Sequence, residues 1–204
     1  MKNFFLPQAI LRKGGDFLCY EYNAYKEVLK IDYELLKNGN VKVGEDFIPI
    51  SCNSTKGIIN INDFKGNLIL FSYPEDFYYI SEIEIIELQK NIDEFNKRDT
   101  KIILIGYGNM LSHYAWINSM KFKTNIDITI PLLEDKIGEI ARRYGMVSTL
   151  NNNQITNKVI FVGKDKIIKA IIEYESSIPR NIYEIIRILD FINQNEKKLY
   201  KNNS

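Results

Sequence analysis

Two short apolar runs constrain this chain more than any other feature: NLILFSY at Asn67–Tyr73 and KIILIGYG at Lys101–Gly108. The first is bounded by Gly66 and Pro74, and both are rich in β-branched or aromatic residues, so each reads as a buried strand. Strands of that kind run parallel and need crossover helices between them. The intervening segment supplies one: from Ser81 to about Phe95, Ile85, Leu88, Ile92 and Phe95 fall on a single helical stripe.

The rest of the chain extends the pattern. A helix is predicted around Ser112–Met120 and a shorter one over Lys136–Tyr144, stopped by Gly145. KVIFVGKDKIIKAIIEY (Lys158–Tyr174) reads as a β-hairpin, with Gly163-Lys164-Asp165 between two β-branched runs. A last helix over Asn181–Asn193 carries Ile182, Ile185, Ile186, Leu189 and Ile192 at helical spacing. The order β-α-β-α, then α-β-β-α, predicts an α/β domain with a central mixed sheet flanked by helices and a hairpin at one edge, the thioredoxin-like plan. Residues 1–41 read as an N-terminal extension with a helix or turn-rich segment over Tyr22–Leu36, residues 42–193 as the domain, and residues 194–204 as a polar tail or linker.

Composition narrows the function. Hydrophobic residues are 45% and charged residues 26% of the 204, with a net charge of +1, so nothing favours a nucleic-acid partner. No run of about 18 apolar residues exists to cross a membrane, and the start (MKNFFLPQAILRKGGDF) is too interrupted for a signal peptide. The expectation is a chain made in the cytoplasm. Two cysteines, Cys19 and Cys52, do not form a disulfide framework, although sequence leaves their pairing open. One histidine and no Cys/His cluster give no reason to expect a metal, and no phosphate loop suggests a cofactor.

Five segments then carry a resemblance: VGEDFIPIS (43–51), DFKGNLILFSYPEDF (63–77), SHYAWIN (112–118), PLLEDKIGEIARRYG (131–145) and PRNIYEIIR (179–187). In this order and spacing the chain resembles peroxiredoxins of the alkyl hydroperoxide reductase / thiol-specific antioxidant branch, over about residues 41–193. Within it, the chain looks most like peroxiredoxin-like domains carried by clostridial spore-coat proteins. That resemblance implies deposition in a spore coat and assembly as a homodimer or in a larger protein complex.

The resemblance also implies where chemistry belongs. The family uses a PxxxTxxC segment whose cysteine lies in the first turn of a helix, where backbone amides favour the thiolate. A threonine hydroxyl and an arginine hold the peroxide, and thiolate attack gives a sulfenic acid. By this match Pro74 is kept, the threonine position is Tyr78, the cysteine position is Ser81 and the arginine position is Asn157. Arg180 and Arg142 match two further family arginines, and no resolving cysteine lies beyond Cys52.

A thiol of ordinary pKa about 8.5 is pulled to roughly 3.5–7.5 at a helix start. A serine hydroxyl begins far higher, and oxygen has no sulfenic state. Three coupled positions depart together, which argues for loss of the site rather than for one substituted cysteine. Ser81-Glu82-Ile83-Glu84 also spells a capping box, giving Ser81 a structural role at a helix start. The alternative is a working thiol peroxidase, using Cys52 or a natural cysteine at position 81. Cys19 and Cys52 otherwise read as incidental thiols, His113 as a packing or hydrogen-bonding residue, and Trp116 as core.

Overall fold

The computed structural model describes residues 39–148 and 154–202, with side chains to residue 195. The segment expected at Tyr22–Leu36, and Cys19, lie outside the described residues. The elements are β1 (Ser51–Ser54), β2 (Gly57–Asn60), β3 (Asn67–Glu75), α1 (Tyr79–Lys90), α2 (Ile92–Asn96), β4 (Thr100–Tyr107), α3 (Met110–Thr124), β5 (Leu132–Asp135), α4 (Glu139–Arg143), β6 (Asn157–Val162), β7 (Ile168–Tyr174) and α5 (Ile182–Asn202). They build one seven-stranded sheet of order β2-β1-β5-β4-β3-β6-β7. The three central strands β3, β4 and β5 are parallel, and hairpins β1–β2 and β6–β7 add antiparallel edges.

Both apolar runs are central strands, with Leu70 opposite Ile103 and Phe71 opposite Leu104. Strand periodicity sorts their side chains onto two faces. Ile69, Phe71 and Tyr73 point into a core with Ile85, Leu88, Phe95, Trp116, Met120, Ile185 and Leu189. Leu68 and Leu70 point into a second core with Ile61, Tyr144, Met146 and Ile160. Each such aliphatic or aromatic side chain, fully removed from water, contributes roughly 1.5–3 kcal/mol. This is the mixed, helix-flanked thioredoxin-like sheet that the element order predicts.

Several boundaries differ from expectation for local reasons. The helix expected over 81–95 is two helices, because Asn91 turns its side-chain amide onto the Glu87 carbonyl at 2.9 Å. The helix expected from Lys136 begins at Glu139, where the buried Asp135 carboxylate accepts the Ile140 and Ala141 amides at 3.3 and 2.9 Å. Gly145 ends that region with φ of 62°, left-handed backbone that glycine adopts without strain. The last helix does not stop at Asn193 but runs from Ile182 to Asn202.

Candidate functional site

The site is assembled where β3 gives way to α1. Pro74 is buried within an irregularity of the β3–β4 pairing between Ser72 and Glu75. Three residues later Phe77 adopts φ of 64°, a left-handed conformation that a residue with a bulky side chain rarely takes. What over-determines this turn is Asp76. Its carboxylate accepts the Tyr73 hydroxyl at 3.0 Å and faces His113 Nδ1 at 2.9 Å. His113 Nε2 lies 3.0 Å from the Leu133 carbonyl, an acceptor only, so Nε2 carries a proton and the ring is fixed from both sides. His113 is fully buried and thus serves the hydrogen-bonding role expected of it.

Tyr78 is the residue before the helix and makes no side-chain cap, so Ser81 is the third residue inside α1. The capping box is therefore corrected. A cap accepts from amides further along the helix only from a position outside it, and Ser81 is one turn too far in. Its Oγ is buried with no hydrogen-bond partner. Glu84, the other half of the expected box, is held by Arg180 instead. Arg180 Nη2 and Nε meet the two carboxylate oxygens at 2.7 and 2.9 Å, and its backbone amide donates to the same carboxylate at 2.6 Å. A forked guanidinium bond of this kind outcompetes a single backbone amide.

Arg180 also donates to the Ser72 carbonyl at 2.7 Å and stacks 3.4 Å from the Phe71 ring centroid. Burial pulls its guanidinium below the ordinary range, and Glu84 opposes that pull. With both side chains 1% exposed, the charge is neutralised within the fold. The remaining two positions converge on one acceptor. Tyr78 Oη donates to the Ser176 carbonyl at 3.3 Å, and Asn157 Nδ2 donates to the same oxygen at 3.1 Å. Asn157 is fully buried at the start of β6, and its Oδ1, like Ser81 Oγ, has no partner. Pro74, Tyr78, Ser81, Asn157 and Arg180 thus surround the start of α1, but no hydrogen bond joins Ser81 to the others.

Cys52 belongs elsewhere. It lies on β1, three strands from β3, or about 14 Å at a spacing near 4.8 Å per strand. It packs against the core on the other face of the sheet from Ile85 and Leu88. The thiol is free and lines a cleft of about 290 Å³ with Glu134, Asp135, Lys136 and Arg143. Burial first, then Asp135 and Glu134, push its pKa up to about 11, the reverse of what a nucleophilic thiolate needs. Arg142 turns back onto the Ile137 carbonyl and does not enter the α1 site. Trp116 is buried against Tyr73, with Nε1 donating to Glu82 at 3.3 Å.

Sequence reasoning did not identify Glu84, Asp76 and Ser176 as parts of the site. For Glu84 a signal existed: it occupies the same helical face as Ser81, Ile85 and Leu88, where a carboxylate needs a buried partner. Ser176 contributes only its carbonyl, which no side-chain pattern announces. Among the described residues, no group of three His, Cys, Asp or Glu side chains is placed to hold a metal ion, and no helix is long and apolar enough to cross a membrane.

Comparison with known proteins agrees with this architecture. The family model described as AhpC/TSA matches residues 43–171, well over half of the chain. A peroxiredoxin of Methanocaldococcus jannaschii is 34% identical over 160 residues, covering 76% of this chain and 74% of that protein. One from Aquifex aeolicus is 35% identical over 152 residues, covering 73% and 68%. Among solved structures, a yeast mitochondrial 1-Cys peroxiredoxin superposes with a TM-score of 0.72 at 26% identity, covering 78% and 79% of the two chains. A cysteine-to-serine mutant of peroxiredoxin 6 from Arenicola marina gives 0.68 at 28% identity, covering 74% and 73%. The chain belongs to the AhpC/TSA family of peroxiredoxins.

Proposed function

We propose that this is a peroxiredoxin domain that has lost its peroxidatic cysteine, Ser81 standing in that place, and that it serves as a non-catalytic structural or interaction module. The observation that carries the reading is the setting of Ser81. Its hydroxyl lies in the first turn of α1, three residues after Tyr78 and seven after the buried Pro74, with no base or cation in hydrogen-bond contact. The buried cation of the site, Arg180, is committed to Glu84. An unpaired serine hydroxyl in such a place stays protonated and has no route to a sulfenic acid. The second reading, peroxidase chemistry at Cys52, is opposed by a pKa raised to about 11, by burial first and then by the neighbouring Asp135 and Glu134.

As a module the domain would act through a second copy or a larger assembly, with a spore coat as its proposed destination. The edge strand β7 supports the homodimer. Among the described residues, segment 44–47 pairs with the chain at Lys166, Ile167 and Ile168, at the start of β7. A two-fold axis through Ile171 would set Lys169 of each copy opposite Glu173 of the other, a favourable cross-strand pair. Mixing the protein with hydrogen peroxide and a dithiol tests the catalytic half of the proposal. No peroxide turnover, and at most slow stoichiometric oxidation by intact mass, is expected. Sustained turnover would refute it.

A further inference from the structure

The turn between β7 and Arg180 is braced more than a connecting loop requires. Inside it, the Ile178 amide donates to the Glu175 carbonyl at 2.9 Å, and the Glu175 carboxylate accepts the Ser177 amide at 2.9 Å and the Ser176 hydroxyl at 3.1 Å. Outside it, the Ser176 carbonyl is shared by Tyr78 and Asn157. These donors come from different elements: Tyr78 is the residue immediately before α1, and Asn157 opens β6. Four residues on, Arg180 fastens the same segment to Glu84 of α1. Both polar atoms left without partners at the site, Ser81 Oγ and Asn157 Oδ1, belong to residues with no solvent exposure.

We propose that the turn Glu175–Ile178 is a strap that closes the start of α1, with the Ser176 carbonyl as its fastening point and Tyr78 and Asn157 as its two ties. This rests on the reading of Tyr78, Ser81 and Asn157 as a departed peroxide site, and it gives two of those residues a positive role. A tyrosine spans the gap to Ser176 where a short threonine hydroxyl would fall short. An asparagine amide at the start of β6 donates to the carbonyl without introducing a second buried cation. The strap keeps water and small solutes from Ser81.

Hydrogen exchange of the Ser177, Ile178 and Arg180 amides in the full chain tests this, because Tyr78→Phe removes the tie and keeps the ring. Each lost tie is expected to speed exchange about 5-fold, and Tyr78→Phe with Asn157→Ala about 25-fold, with β4 amides unchanged. A Ser81→Cys chain lacking Cys19 and Cys52 gives a second readout, since iodoacetamide should label it at least 5-fold faster once Tyr78→Phe is added. Unchanged exchange in the double variant, or equal acceleration across the whole sheet, would overturn the strap. Ser81 is intact in the exchange experiments, so peroxide turnover by the unmodified chain remains a separate test of the inactive reading.

Discussion

At the scale of single residues, the buried Arg180–Glu84 pair does the most to define the site. Removing one partner leaves an uncompensated charge in a place with 1% exposure, so Glu84→Gln or Arg180→Met is expected to cost about 3–5 kcal/mol in urea denaturation. Replacing both with apolar residues of similar volume should recover most of that loss. Cys52 makes a different, pH-dependent prediction. Its thiol is raised from 9.0 to about 11, so iodoacetamide labelling should stay slow through pH 9 and rise steeply only above about pH 10. The sign for stability follows from linkage: a folded pKa above the unfolded one gives stability that is full below about pH 9 and lost as pH climbs through 11. Labelling with a midpoint near 7 would restore Cys52 as a nucleophile.

At the scale of elements, the decisive feature is how β3 enters α1. Asp76 holds that turn by accepting from Tyr73 and facing His113, so Asp76→Ala leaves two buried polar groups without their partner. A loss of about 3 kcal/mol is expected by chemical denaturation, with the near-ultraviolet signal of Trp116 altered because Phe77 and Tyr73 both pack on it. The central strands β3 and β4, the β6–β7 hairpin and the longer helices were legible from periodicity, because NLILFSY and KIILIGYG admit few other readings. The four-residue strands β1, β2 and β5 are too short to show a period. Helix starts were less so. The S-x-x-E pattern at Ser81 promised a cap, but a strained Phe77 and an Arg180 ninety-six residues away from Glu84 moved the helix start and took the carboxylate. The helical face announces that Glu84 needs a buried partner, but nothing local in the sequence names Arg180 as that partner. For the same reason Pro74, Tyr78, Ser81, Asn157 and Arg180 were found through family spacing, whereas Asp76 and Ser176 were found only through geometry.

At the scale of the whole molecule, one of the sheet's two hairpin edges, β7, carries charges that are self-complementary about Ile171. Within one copy Lys169 pairs with Asp165 at 2.5 Å and Glu173 with Lys158 at 3.2 Å, so a dimer would extend existing charge ladders. Lys169→Glu alone should raise the dimer dissociation constant at least 10-fold in analytical ultracentrifugation, and an equal mixture of Lys169→Glu with Glu173→Lys chains should regain part of it. Monomeric behaviour of the unmodified chain at high micromolar concentration would remove β7 as a dimer edge. The central claim concerns the whole site rather than Ser81 alone, and peroxide consumption by three proteins tests it most directly: the unmodified chain, Ser81→Cys, and Ser81→Cys combined with Tyr78→Thr and Asn157→Arg. The account predicts no turnover by the first, little by the second, and at least 100-fold more by the third than by the second. Turnover by the unmodified chain, or a single variant as fast as the triple, would contradict it.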